Sequence, residues 1–311
     1  MGVMTSTEVS IPVRYRGGTG QLKGTLTVPD GGARTVQLLV HGYSYARYYW
    51  DFPYKPDTYS YVRAATDAGY ATLAIDRLGD GVSSRPAGRR LTWNTSALSV
   101  ASAVTALRDG SLGTAFENVI LVGHSYGSVT SFLVADRHPG VTAMIVTGAA
   151  HRVNMVNMTK LIMISPPVRR NADFDVTDPL YVTSGSGRRD FFYRSANTDP
   201  EVIAVDERLK QTAGVLEIPS ALPYLWNGVS RNTNIPVLTV IGDRDTLFAG
   251  KWAADCSSDH ALARFERRFY GRAAHVEAAV IPGGGHDINL ERTAPTAYRR
   301  MLDFAAAYVS R

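Results

Sequence analysis

The stretch that decides the fold is residues 119–127, which read VILVGHSYG. Its four branched apolar residues predict a buried parallel strand, and the apolar positions Val129, Phe132 and Leu133 that follow predict a helix. Because glycine lacks a Cβ, a glycine on each side of Ser125 lets the strand and the helix approach closely. A Gly-x-Ser-x-Gly pattern also arises by chance around ordinary turn serines. Between a strand and a helix, however, it indicates a serine held on a tight turn, where the helix N-terminus favours negative charge.

The same alternation of apolar runs and helical patterns extends along the chain. Residues 9–14 and 22–28 alternate apolar and polar side chains, which predicts a leading antiparallel pair of strands. Further strands are predicted at residues 36–40, 71–75, 141–146, 236–242 and 276–281, with helices at 60–68, 94–107 and the C-terminus. The pattern predicts an α/β fold, with a mostly parallel sheet of the eight-stranded type flanked by helices.

Residues 151–234 break this alternation. The segment is irregular, contains a Ser-Gly-Ser-Gly turn at 184–187 and concentrates methionine and aromatic residues. Because so long an interruption is unusual for a loop inside a compact domain, we predict an inserted lid over 151–234. Residues 1–150 and 235–311 then form the core domain. Most of the lid aromatics are expected to pack against each other, and a minority to face a substrate.

Composition excludes several classes of protein. The 311 residues include one cysteine, Cys256, so neither an internal disulfide nor a cysteine-based zinc site can form. The N-terminus lacks the basic and apolar regions of a secretory signal, and no apolar run is long enough to span a membrane. We therefore expect a cytoplasmic protein. The cations behind the net charge of +5 are overwhelmingly arginines spread along the chain, which does not indicate nucleic-acid binding, although a mild preference for anionic substrates stays open.

A serine nucleophile needs a base, and His286 is the candidate among seven histidines. It lies in a glycine-rich loop after the strand at 276–281, so its side chain can reach the carboxyl ends of the sheet. His124 flanks the serine but is expected to point to the opposite side of the turn. The orienting acid should follow a strand between Ser125 and His286, and we prefer Asp245 to Asp243, which we expect to cap that turn.

The developing oxyanion should be stabilised by the backbone N–H groups of Tyr43 and Tyr126. The loop after the third strand reads HGYSYARYYW at 41–50, and its aromatics either line the pocket or pack within the loop. His41 in that loop is expected to be structural. As residues that contact the substrate, we propose four side chains from the loop and the lid: Tyr45, Met155, Phe192 and Trp226.

Five segments together resemble the α/β-hydrolase superfamily: HGY at 41–43, AIDRLGDGVSS at 74–84, GHSYG at 123–127, GDRD at 242–245 and GGGHDINL at 283–290. The resemblance implies an α/β-hydrolase fold over 1–150 and 235–311, and a loop-fixing role for Asp76. Serine rather than aspartate at the nucleophile position argues against the epoxide hydrolases and haloalkane dehalogenases. The HGY form of the oxyanion loop differs from the HGGG of many lipases and esterases, so a bulky-ester lipase is not supported.

We therefore predict a serine hydrolase of the carboxylic ester hydrolase class, which cleaves an ester, thioester or lactone with a largely apolar acyl part. One alternative keeps the site but changes the outcome, as in an acyltransferase, a cyclase or a lyase. A second alternative is a non-catalytic binding protein on this scaffold. No metal or nucleotide motif is present, so we expect a small-molecule substrate and no cofactor.

Overall fold

The computed structural model describes residues 4–168 and 174–309, apart from the side chains of Tyr224 and Trp226. The strands in chain order are β1 (Met4–Tyr15), β2 (Gly18–Pro29), β3 (Thr35–Val40), β4 (Ala71–Asp76), β5 (Asn118–His124), β6 (Ala143–Thr147), β7 (Tyr181–Val182), β8 (Ala213–Gly214), β9 (Val237–Gly242) and β10 (Val276–Ile281). Eight of them form one sheet in the order β1-β2-β4-β3-β5-β6-β9-β10. Within this eight-stranded sheet, only β1–β2 and β2–β4 pair antiparallel, which confirms the predicted mostly parallel sheet and its leading antiparallel pair.

The helices cover both faces of this sheet, as the alternating pattern predicts. In chain order they are α1 (Pro56–Tyr59), α2 (Tyr61–Asp67), α3 (Trp93–Arg108), α4 (Tyr126–Arg137), α5 (Met155–Met163), α6 (Pro200–Leu209), α7 (Glu217–Trp226), α8 (Asp259–Glu266) and α9 (Ala294–Tyr308). Side-chain caps fix several N-termini: the Thr92 hydroxyl accepts from the Thr95 N–H, and Ser258 accepts from Ala261.

The central strands are buried on both faces, which explains why their sequences are mostly apolar. Every residue of β3, β4, β6 and β9 is buried. Since the parallel strands all run in one direction, the segments that follow β5, β9 and β10 emerge at the same edge of the sheet. That edge therefore collects Ser125, Asp245 and His286. Among the described residues, no helix is both long and apolar enough to cross a membrane.

The segment between β6 and β9 contains α5, the short β7–β8 pair, α6 and α7. A buried cluster joins its two ends. The Nδ1 atom of His151 lies 2.7 Å from the Glu266 carboxylate, and its Nε2 atom lies 2.9 Å from the Ser230 hydroxyl. The imidazole is stacked between Phe132 and Phe269, with ring centroids 4.3 and 4.6 Å away. Although this cluster contains serine, histidine and an acid, all three are fully buried, so it holds the segment ends together.

Candidate active site

Ser125 occupies a strained turn between β5 and α4. Its φ of 50° and ψ of −117° are unfavourable for a residue with a side chain, which costs about 1–3 kcal/mol. Both flanking positions require glycine, because neither has room for a Cβ atom. A Cβ on Gly123 would lie 2.5 Å from the Ser128 nitrogen, and one on Gly127 would lie 2.2 Å from the Val40 carbonyl oxygen. The surrounding backbone thus holds Ser125 in this conformation and keeps its side chain partly exposed.

The structure brings Ser125, His286 and Asp245 together in one hydrogen-bonded chain. The Ser125 hydroxyl lies 2.9 Å from Nε2 of His286, and Nδ1 of His286 lies 2.9 Å from a carboxylate oxygen of Asp245. The other oxygen of Asp245 accepts the N–H groups of Leu247 and Phe248, at 2.7 and 3.1 Å. With Nδ1–H donated to Asp245, Nε2 is free to take the serine proton.

The electrostatics of the pair suit a base and its orienting acid. Burial alone would lower the pKa of His286, but the charge and hydrogen bond of Asp245 outweigh it, so the pKa lies above its ordinary value. Burial would likewise raise the pKa of Asp245. The charge of His286 and the bonds from His286, Leu247 and Phe248 outweigh that effect, so the pKa of Asp245 is lowered. Asp245 therefore stays ionised, and His286 is a stronger base than an isolated imidazole.

The neighbouring acid and histidine have other contacts. Asp243, the alternative acid, accepts the Gly283 N–H at 2.7 Å. This bond ties its turn to the glycine-rich loop 283–290 that carries His286, here called the histidine loop. His41 is buried, where its Nε2 accepts the Arg77 N–H at 3.0 Å and its Nδ1 lies 2.9 Å from the Gly42 carbonyl. Asp76 accepts the N–H groups of Arg47 and Val82, the contacts expected of a loop-fixing residue.

The two predicted oxyanion donors lie beside the serine. Tyr126 is the first residue of α4, where a backbone N–H has no partner within the helix. The loop at 41–43 passes directly by Ser125, because a Cβ on Gly42 would lie 3.1 Å from the Ser125 Cβ. Tyr43 and Tyr126 both border the cavity into which Ser125 opens.

This cavity is narrow and almost entirely apolar. Two helices of the 151–234 segment form one side of it, and the core domain forms the other. Besides Ser125, it is lined by Tyr43, Tyr126, Val129, Met158, Leu161, Ile218, Ala221, Leu222, Leu225, Leu247 and Phe248. No charged side chain is among these described lining residues.

Three of the residues predicted to contact the substrate, Tyr45, Phe192 and Met155, do not line this cavity. Tyr45 is buried behind the histidine, where its hydroxyl reaches Asp206 at 3.0 Å. Phe192 packs against His286 with ring centroids 5.7 Å apart, without lining the cavity. Met155 is 40% exposed on the first turn of α5, whereas residues 158 and 161 of the same helix face inward. The side chain of Trp226 lies outside the described residues.

Among the described residues His124 bonds to Thr147 and Asp287 and not to Ser125, but its ring lies close to that of His286. The ring centroids of His124 and His286 are 5.1 Å apart, and His124 is stacked on Tyr49 at 4.2 Å. Its Nε2 lies 3.0 Å from Asp287, a buried acid that sequence reasoning missed although it directly follows His286. Burial, above all, lowers the pKa of His124 well below its ordinary value and raises that of Asp287 to about 7.

Three of these side chains also have the atoms of a metal site. The candidate ligand atoms of His124, His286 and Asp287 all lie within 4.8 Å of one another. Each side chain already has protein partners, however, since His286 faces Ser125 and Asp245, and Asp287 bonds to His124 and Tyr45. A metal would have to displace those contacts, so the donor set fits a hydrogen-bond network better.

With this geometry in place, the family of the protein can be stated. The sequence model of the alpha/beta hydrolase family matches residues 37–299, and the chain belongs to that family. No curated protein matches the sequence.

Solved structures share the fold at low sequence identity. An E-2-(acetamidomethylene)succinate hydrolase is 18% identical with a TM-score of 0.62, covering 96% of this chain and 100% of its own. The esterase domain of a Rhodothermus marinus protein is 16% identical with a TM-score of 0.60 (98% and 100% covered). The Pyrococcus furiosus esterase Pf2001 is 13% identical with a TM-score of 0.59 (99% and 92% covered). At these identities the likeness demonstrates the α/β-hydrolase fold alone.

Proposed function

We propose that this protein is a serine hydrolase that cleaves an ester, thioester or lactone with a largely apolar acyl part. One observation carries the proposal: the chain from Ser125 through His286 to Asp245 has hydrogen-bond distances of 2.9 Å at both steps and opens onto an apolar cavity. Nucleophile, base and orienting acid are thus aligned at the mouth of a narrow apolar cavity, which an acyl chain would widen as it enters.

The reaction proceeds through an acyl-enzyme. The Ser125 oxygen attacks the substrate carbonyl carbon while its proton passes to Nε2 of His286. The resulting oxyanion is stabilised by the N–H groups of Tyr43 and Tyr126. His286 returns the proton to the leaving oxygen or sulfur as the bond to the acyl carbon breaks. Water then attacks the acyl-serine and gives a proton to His286; the bond between the acyl carbon and the Ser125 oxygen breaks, His286 returns the proton to Ser125, and the free acid leaves, while Asp245 stays ionised throughout.

The cavity wall supports the preference for an apolar acyl part. Each methylene that moves from water into such a space contributes about 0.8 kcal/mol. A carboxylate on the acyl group would instead be desolvated without a partner, since the described lining residues carry no charge. Residues 151–234 act as a lid in this proposal, because Met158 and Leu161 of α5 and Ile218 of α7 supply much of that wall.

The test uses p-nitrophenyl esters with acyl chains from acetyl to octanoyl, together with a fluorophosphonate probe. We expect wild-type protein to turn over these esters and to be labelled, and the Ser125→Ala variant to lose both. Ser102→Ala is the control, because Ser102 is half-buried on α3 away from the site, and among the described residues its hydroxyl donates to the Leu98 carbonyl of its own helix. Turnover that survives in Ser125→Ala would exclude a covalent mechanism.

Product analysis separates hydrolysis from the alternatives. Hydrolysis releases the free acid, whereas an acyltransferase passes the acyl group to an added alcohol or amine. A cyclase or a lyase would give products without the incorporation of water. Labelling of Ser125 together with acyl transfer would favour an acyltransferase. The absence of both labelling and turnover would favour a non-catalytic binding protein.

A further inference from the structure

A fully buried ion pair lies in the 151–234 segment, close to the histidine loop. The guanidinium of Arg189 donates two hydrogen bonds to the carboxylate of Asp206 on α6, at 2.9 and 2.8 Å. Both side chains have no exposed surface. Burying two charges costs desolvation energy that a single ion pair often does not recover. Further buried bonds offset part of this cost, because Asp206 also accepts the hydroxyls of Tyr48 and Tyr193 and Arg189 donates to Ser44, so the pair is the centre of a buried hydrogen-bond network.

Tyr45 connects this ion pair to the histidine loop. Its hydroxyl lies 3.0 Å from the Asp206 carboxylate and also hydrogen-bonds to Asp287, the residue that follows the base. The guanidinium of Arg189 lies 3.9 Å above the Tyr45 ring and so fixes the ring itself. An unbroken path of buried contacts thus runs from Arg189 to the backbone next to His286.

A second contact joins the same two parts of the chain through the backbone. The N–H groups of His286 and Asp287 both donate to the carbonyl oxygen of Phe192, at 3.1 and 3.2 Å. Phe192 belongs to the short helical turn Arg189–Phe192, and its ring lies 5.2 Å from the Arg189 guanidinium. The histidine loop is therefore joined to the inserted segment both by side-chain contacts through Tyr45 and by main-chain hydrogen bonds to Phe192.

From these contacts we propose that Arg189 and Asp206 are positioning residues for the base His286, and that they act through Tyr45 and Asp287. The proposal rests on the proposed function. Its consequence is that the inserted segment belongs to the catalytic apparatus, even for substrates too small to touch its side of the cavity. A shift of about 1 Å in a reacting group can cost about 100-fold in rate, so a looser histidine loop lowers kcat.

The decisive variant is Tyr45→Phe, which removes the bridging hydroxyl and keeps the ring. With p-nitrophenyl acetate we expect kcat to fall about tenfold and KM to change less than about twofold. Tyr54→Phe is the matched control, because the Tyr54 hydroxyl bonds to Asp199, also in the inserted segment, at 3.1 Å. That bond has no connection to the histidine loop, so kcat should stay within about twofold of wild type.

The pH profile gives a readout that a general loss of structure would not produce. The charged and titratable groups around the His286–Asp287 pair are Asp245, Glu291, Asp206, Arg189 and His124. The Tyr45 bond lowers the pKa of Asp287, and the charge of Asp287 raises the pKa of His286. Removing the hydroxyl therefore lowers the pKa of His286, and the acid limb of kcat/KM moves to lower pH. Tyr54→Phe should leave that limb in place.

A double replacement, Arg189→Met with Asp206→Leu, tests the ion pair without leaving one buried charge unpaired. If it folds with a wild-type circular dichroism spectrum, we expect the same loss in kcat. An unchanged kcat in folded Tyr45→Phe, or a rise in KM alone, would overturn the proposal. If wild type shows neither turnover nor fluorophosphonate labelling, the proposed function fails instead. In that case the proton NMR signal of the His286 Nδ1–H still tests whether Tyr45 positions His286, because the signal should move in Tyr45→Phe and not in Tyr54→Phe.

Discussion

Replacing Asp245 by asparagine keeps the shape of the side chain and exchanges one carboxylate oxygen for an amide nitrogen. The hydrogen bonds of Asp245 determine which of its two oxygens the amide nitrogen replaces. One oxygen of Asp245 already accepts the N–H groups of Leu247 and Phe248 at 2.7 and 3.1 Å, so the amide oxygen must stay there. The amide nitrogen then faces Nδ1 of His286, which lies 2.9 Å from the second oxygen in the wild type. Because that nitrogen can only donate, Nδ1 must accept, and the imidazole proton moves to Nε2.

The wrong tautomer explains the size of the effect. With a proton on Nε2, the imidazole can no longer accept one from the Ser125 hydroxyl. We expect kcat to fall by about 10⁴-fold, the scale known for this change in a serine triad. At about 1.4 kcal/mol for each factor of ten, the barrier rises by about 5.5 kcal/mol. Stability should change little, because both backbone donors keep their acceptor.

The assay is p-nitrophenyl ester turnover at saturating substrate, with thermal unfolding as the check on folding. Asp243→Asn is the matched control, since Asp243 stands two residues away, accepts the Gly283 N–H of the histidine loop and lies 3.7 Å from the Arg244 guanidinium. We expect it to keep kcat within about tenfold of wild type. A kcat of Asp245→Asn above one tenth of wild type, or a larger loss in Asp243→Asn, would refute the assignment of the acid.

Three further predictions concern the pH profile, the turn and the cavity. Because His286 must be neutral to act as a base and its pKa is raised, kcat/KM should fall on acidification at a pH above the ordinary histidine value. Gly127→Ala should lower the free energy of unfolding by about 1–3 kcal/mol or more in chemical denaturation, because its Cβ would lie 2.2 Å from the Val40 carbonyl oxygen. Ala221→Leu fills the cavity and should shorten the preferred acyl chain, at about 0.8 kcal/mol, or roughly fourfold in kcat/KM, for each methylene excluded.

Each of these has an outcome that contradicts it. An acid limb below the ordinary histidine pKa would show that Asp245 does not raise the basicity of His286. Unchanged stability of Gly127→Ala would mean that the approach of α4 to β3 is looser than the structure indicates. If Ala221→Leu slows acetyl and octanoyl esters equally, the acyl group does not enter the cavity that Ala221 lines.

The sheet could be predicted from sequence because its strands are buried on both faces. A run such as residues 36–40 has one polar position, Gln37, among four branched apolar residues, which is typical of a central parallel strand, and the structure places it there. The approximate position of Ser125 followed from the same rule, since a strand that runs into a glycine and then into a helix leaves few backbone paths. The edge pair β1–β2 was also predicted, although each strand has 12 residues and exceeds the segment that alternates cleanly.

The contacts of single side chains could not be predicted in the same way. Met155 and Met158 look alike in the sequence, yet a difference of three residues on a short helix decides which one lines the cavity. Tyr45 was expected to face a substrate because it is aromatic and close to the oxyanion loop. Its hydroxyl instead reaches Asp206, which lies far along the chain, and no local pattern encodes a contact of that range. The contact of His124 with Asp287 could not be predicted for the same reason, because Asp287 lies far along the chain.

The order of strands in the sheet has a consequence for how the site assembles as the chain is synthesised. β6 pairs directly with β9, and β9 with β10, although the whole inserted segment separates β6 from β9 in the chain. A nascent polypeptide emerges from its N-terminus, so the strained serine turn is synthesised long before the acid and the base. The proposed nucleophile therefore precedes its proposed acid and base along the chain, and the three residues can come together only after β9 and β10 have paired beside β6.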